Sequence, residues 1–199
     1  VLRKSPVDRY VINYRASYAQ ETAAMVDGLL AAGIKPTEIA FFTQNDGYGD
    51  AGYNGAIKAL KHHGYADTDQ LSHGRYTRNT TNIEDGLITI LDAETEPKAI
   101  IMVGAYMPCA KFIELAKEDL PDALFLNVSF VGSVALKAEL GEQNAEGVII
   151  TQVVPHYNNS TLAAVKDYQI DLKKFDDSAT FGFASLEGYL AAKVLVAGM

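Results

Sequence analysis

The sequence predicts an α/β fold: a mainly parallel sheet with helices on both faces. Three observations carry this expectation. Short apolar runs of strand length alternate with amphipathic helical patterns along the chain. Residues 39–43 and 98–103 are apolar at nearly every position, as strands buried on both faces are. The stretches between such runs are long enough to carry a helix back across the sheet, which parallel neighbours require.

Taken in order, residues 10–14 (Tyr-Val-Ile-Asn-Tyr) read as a short strand. Ser17 and Gln20 have capping-box spacing and open a helix whose Thr22, Met25, Val26, Leu29 and Leu30 share a face. Gly33 and Pro36 end it. After the strand at 39–43, Tyr53, Ala56, Ile57 and Leu60 give the next helix its apolar face, and Gly64 stops it. Residues 75–77 suggest a weak edge strand. Thr81 and Glu84 are spaced as a second capping box, ahead of a helix carrying Ile83, Leu87, Ile90 and Leu91. Following the strand at 98–103, Pro108 suits the first turn of a helix that buries Phe112, Ile113 and Ala116. Residues 124–128 and 147–151 are two more strands, around a short helix at 134–140 that Gly141 stops. Pro155 and the polar residues after it break the pattern before two last helices, at 161–172 and 181–196. The whole is Rossmann-like, and such sheets bind ligands at the C-terminal ends of their strands.

Composition narrows the function. With 199 residues, 48% of them hydrophobic, the chain can bury the core of one sizeable domain or two small lobes. A net charge of −8 argues against nucleic acid and anionic membrane surfaces, both of which select basic faces. Cys109 is the single cysteine, which excludes an internal disulfide and a cysteine-based zinc site. No run approaches the roughly 18 apolar residues of a membrane span, so direct membrane insertion is not expected. Residues 1–6 lack a signal-peptide h-region, and the chain reads as a mature form or an excised piece.

Gly47, Gly49 and Gly52 match the G-x-G-x-x-G pattern of dinucleotide sites. In such sites the first glycine follows the strand directly and an acidic residue ends the second strand. Here Asn45 and Asp46 intervene, and the second strand runs into Arg78 and Asn79. The glycines therefore read as a tight strand-to-helix turn, and no cofactor is expected. A phospho-receiver would need Asp after the strand at 98–103, where Gly104, Ala105 and Tyr106 stand. His62, His63, His73 and His156 form no convergent metal set, and Ser129 has no G-x-S-x-G elbow. Cys109 reads as a small buried hydrophobe, and the pairs Asp176-Asp177 and Glu118-Asp119 as solvated surface. No catalytic residue is expected, and the protein does not read as an enzyme.

What remains lies on the loops that follow the strands. Tyr48, Tyr106 and Phe130 supply apolar contact there, and Gln44, Asn127 and Ser129 supply amides and a hydroxyl. A small-molecule site needs this combination.

Several stretches resemble the type I periplasmic binding proteins. They are residues 10–21, Asp46-Gly47-Tyr48-Gly49, Gly104-Ala105-Tyr106-Met107-Pro108, Glu146-Gly147-Val148 and Ser185-Leu186-Glu187-Gly188-Tyr189. The branch that they resemble most is the Leu/Ile/Val-binding receptors of ABC transporters. The resemblance runs in order along nearly the whole chain.

It implies a protein of two α/β lobes closing on a ligand, of which this chain is a fragment. On that reading residues 1–16 are a crossover strand from the first lobe, 17–154 the second lobe, and 155–199 the final helices and return crossover. It further implies periplasmic or extracellular location, a small-molecule ligand such as an amino acid, and an ABC permease of the inner membrane as partner. Tyr48, Tyr106 and Phe183 match aromatic positions at the ligand. Ser129 stands where amino-acid-binding members place a carboxylate for the ligand's ammonium, and serine cannot supply that charge. Asp46 is the nearest substitute by loop position, although its place just after a strand equally suits a turn-capping role, and Asn127 lies beside Ser129. Two rivals accompany this reading: a sensory ligand-binding domain of a signalling receptor, and a nucleotide-dependent enzyme of flavodoxin-like fold.

Overall fold

The computed structural model describes residues 9–199. Two compact units result: Ser17–Thr151, and Gln152–Met199 together with the described part of Val1–Ala16. Each is taken by itself.

The larger unit contains the sheet. Its strands are β1 (Ile39–Gln44), β2 (His73–Tyr76), β3 (Ala99–Val103), β4 (Leu124–Asn127) and β5 (Val148–Ile150), in the order β2-β1-β3-β4-β5. Every neighbouring pair is parallel. Around it lie α1 (Tyr18–Ala31), α2 (Gly47–His62), α3 (Glu84–Leu91), α4 (Tyr106–Asp119) and α5 (Ser133–Ala145).

Strand alternation divides the core in two. Ala40, Phe42, Ile100, Met102 and Phe125 face one way and pack with Ile90, Phe112, Ile113 and Leu136 of α3, α4 and α5. Ile39, Phe41, Ala99, Ile101 and Leu126 face the other way, onto Met25, Val26, Leu29, Ala56 and Leu60 of α1 and α2. The doubly covered parallel sheet is the architecture that the apolar runs predict.

The glycines of α2 have a structural account. A Cβ on Gly49 would collide with the Gln44 carbonyl, one on Gly52 would lie 2.5 Å from Val103 Cγ2, and one on Gly55 would collide with the Ala19 backbone. They lie three residues apart, on the side of α2 turned to β1, β3 and α1. Thr22 Oγ1 of α1 donates to the Gly52 carbonyl at 2.7 Å across that contact. These glycines serve close packing.

Three expectations need correction. Residues 10–14 form no strand, and Tyr10 and Ile12 are exposed, because an extended segment becomes a strand only by pairing and none pairs with it among the described residues. The Ser17 capping box is made, but the Thr81 box is not: α3 starts at Glu84 without a side-chain cap. Lys111 Nζ takes both the Thr81 carbonyl and the Glu84 carboxylate, which occupies the capping partner. Gly141, with φ of +69° and a non-helical backbone, interrupts α5 where the sequence places the stop. Finally, the last two helices sit slightly later than expected, α6 at Ala163–Phe175 and α7 at Phe183–Ala197.

Edge strand β2 carries an acid-sensitive residue. The His73 ring stacks on Tyr53, with centroids 3.9 Å apart, and its Nε2 lies 2.7 Å from Thr43 Oγ1. Burial, helped by Arg75 and opposed by Asp50, lowers its pKa from 6.5 to about 4. Between those values the unfolded chain takes up a proton that the folded chain refuses. The contribution is thus complete above pH 6.5 and is lost as pH falls toward 4. Wild-type melting temperature should fall between pH 7 and 4.5, and His73→Gln should flatten that slope. An unchanged slope in the variant would contradict this account.

In the smaller unit, α6 and α7 pack through Val165, Tyr168 and Leu186, with Val154. Tyr14 donates to the Glu187 carbonyl at 2.7 Å, and Arg15 pairs with the Glu187 carboxylate at 2.8 Å.

Candidate functional site

The strand order reverses between β1 and β3, since the chain goes to one side of β1 for β2 and to the other for β3. A crevice at such a reversal is where open α/β sheets take ligands. Tyr48, in the first turn of α2, crosses it: its hydroxyl donates to the Gly104 carbonyl after β3 at 3.3 Å.

A polar network fixes this edge. Asp46 caps α2, its Oδ1 accepting from the backbone N–H of Tyr48 at 2.9 Å and of Gly49 at 3.3 Å. Its Oδ2 accepts from Gln44 Nε2 at 2.7 Å. Gln44 Oε1 accepts from the Tyr76 hydroxyl at 3.0 Å, and that hydroxyl oxygen accepts the Ala105 N–H at 2.9 Å. The ends of β1, β2 and β3 are thereby tied in series. Burial opposes ionisation of Asp46, but the hydrogen bonds from Gln44, Gly49 and Tyr48, with Arg78 nearby, hold its carboxyl below the usual range. Burial pushes the Tyr48 and Tyr76 hydroxyls upward, so both are neutral donors at any physiological pH.

Beside this network stands a ring cluster. Tyr48 meets Tyr18 edge to face at 4.8 Å between centroids and Phe130 at 5.3 Å, and Tyr18 and Phe130 are 6.3 Å apart. Rings this close touch one another, each such pair contributing about 0.5–1.5 kcal/mol beyond area burial. They make a shelf, with Phe130 60% exposed on it.

A second network lies next to the shelf. Glu21 of α1, buried, accepts from the Ser129 N–H at 2.8 Å, the Ser129 hydroxyl at 3.1 Å and the Thr151 hydroxyl at 2.6 Å. A carboxyl group does stand at the Ser129 position, supplied from another element.

The structure thus brings together Tyr48, Phe130, Ser129, Gln44 and Asp46 at one edge of the larger unit. Asp46 is engaged as a helix cap. Asn127 is fully buried; strand alternation puts it on the α3, α4 and α5 side of the sheet, and its Nδ2 and Oδ1 have no hydrogen-bond partner. Its carbonyl accepts the Thr151 N–H at 3.0 Å. Tyr106 opens α4, 39% exposed and apart from the ring cluster. Phe183 belongs to the smaller unit, against Tyr157 at 4.9 Å and His156 at 5.4 Å. Cys109 is buried and its thiol pushed up by that burial. Among the described residues no group of His, Cys, Asp and Glu could hold a metal ion, and no helix is long and apolar enough to cross a membrane.

Tyr18, Glu21 and Thr151 escape the sequence reading. A signal existed for Glu21, which is spaced by four from Met25 and by eight from Leu29 on the buried stripe of α1.

Comparison with known proteins agrees with the fold. No match is found among curated proteins. A possible leucine/isoleucine/valine-binding protein from Rhodopirellula baltica SH 1 is similar at 50% identity and TM-score 0.87, over 94% of this chain and 50% of that one. A substrate-binding periplasmic protein from Ralstonia solanacearum shares 26% identity at TM-score 0.77, over 94% and 52%. A fatty acid ABC transporter substrate-binding protein from Thermomonospora curvata shares the fold at 16% identity and TM-score 0.75, over 94% and 47%. The chain therefore spans about half the length of the structures it matches. The periplasmic binding protein family model matches residues 2–199, and the chain belongs to that family.

Proposed function

We propose that the larger unit is a ligand-binding lobe of an extracytoplasmic solute receptor, which delivers an amino acid or similar small metabolite to an ABC permease of the inner membrane. The observation that carries this reading is the aromatic shelf of Tyr18, Tyr48 and Phe130, set at the strand-order reversal and braced by buried polar networks. A pre-formed apolar surface rimmed by a few fixed polar groups suits a small ligand. The 50% identity to a possible leucine/isoleucine/valine-binding protein supports the amino-acid class. The receptor works by hinge closure, the ligand stabilising the closed state by its greater affinity for it. It performs no chemistry of its own. Tyr106 and Ser129 contact the ligand from this lobe.

The test is calorimetric titration of the full-length receptor with leucine, isoleucine, valine and their deaminated analogues, alongside mass spectrometry of co-purified small molecules. Binding of at least one compound at about micromolar Kd or tighter is expected. No binding of the six and no co-purified small molecule would remove the reading.

A further inference from the structure

We propose that Glu21 is the positioning residue of this site, fixing the turn that presents Ser129 and Phe130. Glu21 is 4% exposed, and among the described residues three donors converge on its carboxyl from positions 108 and 130 residues away in the chain. Three segments, the first turn of α1, the turn after β4 and the residue after β5, therefore meet on one side chain.

The turn after β4 needs such a tether. Ser129–Val131 is a single 3-10 turn without a side-chain cap, closed by Val131 N–H to Val128 O at 3.1 Å and Gly132 N–H to Ser129 O at 3.2 Å. The N–H groups that open a helical turn have no partner inside it. Glu21 takes the one on Ser129, and the Ser129 hydroxyl proton as well. Phe130 follows directly in the chain, so the orientation of its ring depends on how this turn is held. Tyr18, which Phe130 faces, lies three residues before Glu21 on α1. One helix thus supplies both a ring of the shelf and the clamp that sets the opposing ring against it. The importance of this clamp for binding rests on the function proposed above; the tether itself does not.

The experiment is amide hydrogen exchange on the full chain, read at Ser129 and at the core strand residues Ile101 and Phe125. Glu21→Met keeps the length of the side chain and removes its acceptors. Exchange at Ser129 should rise by about tenfold or more while Ile101 and Phe125 stay unchanged. Glu21→Gln, whose carboxamide oxygen can still accept, should restore most of the protection. Should Glu21→Met fail to fold, Glu21→Asp keeps the carboxyl one methylene short of reach and should show the same selective loss. L-leucine, as a probe, is titrated separately: if wild type binds it, Glu21→Met should weaken it about tenfold and Glu21→Gln should recover it. The proposal is overturned if Ser129 exchange does not move, if all three sites accelerate equally, or if Gln protects no better than Met. Failure of wild type to bind leucine bears on the proposed function only, because the exchange result decides the tether without a ligand.

Discussion

Gly49→Ala is expected to unfold the larger unit, or to destabilise it by more than about 4 kcal/mol, an effect reserved for severe mechanisms. Intrinsic propensity points the other way, since alanine is the better helix former by about 1 kcal/mol. Packing decides. A Cβ at Gly49 would occupy the space of the Gln44 carbonyl, and Gln44 is pinned by its strand pairing and by its bonds to Asp46 and Tyr76. Backbone so held cannot yield as a flexible side chain can. Gly47 is the control: it sits in the same helix turn, and a Cβ there meets nothing within 4 Å. Gly47→Ala should be neutral or stabilise by up to about 1 kcal/mol. Urea midpoints measure both, and equal effects would refute the close-packing account of these glycines.

Tyr48→Ala should cost about 2–4 kcal/mol of stability, because it removes a ring that packs on Tyr18 and Phe130 and a hydroxyl that bonds across the crevice. It should also weaken ligand binding by about 1–3 kcal/mol. Tyr106→Ala removes a side chain 39% exposed, and its stability change should stay within about 0.5 kcal/mol. Any loss of affinity in that variant then reports ligand contact alone. Thermal melting and calorimetry on both variants separate bracing from contact. Equal melting temperatures would show that the shelf carries no stability. Asp46→Asn, by contrast, alters a helix cap, so its effect should be similar for amino acids and for their deaminated analogues.

The apolar runs made β1, β3 and β4 legible, because a strand covered on both faces has to be apolar along its length. The sheet order was legible only in part. Residues 75–77 read as an edge strand, and β2 does lie at the edge, but which strand it borders depends on how a crossover helix covers the sheet. Residues 10–14 carry strand-forming side chains, but pairing is a property of two segments and one segment cannot declare it. Tyr48 and Ser129 come from a positional rule, that residues just beyond strand ends line one edge of the sheet. That rule looks only at loops, and so it passed over Tyr18 and Glu21, which reach the same edge from a helix. Asp46 shows the pull of a local partner. Its side chain is held by its own helix start, a local demand that outranks a more distant use.

The side-chain networks at this edge join residues at the strand ends and on the helix starts, and among the core residues Tyr76 takes part in them through its hydroxyl. Folding strength and the edge therefore share only a few letters of the sequence. Most core positions can drift among aliphatic residues of similar volume without touching the edge, whereas a change at Tyr48 or Tyr76 reaches both. In evolutionary terms the scaffold is a reusable one, and divergence in what it recognises need not be accompanied by divergence in how it folds.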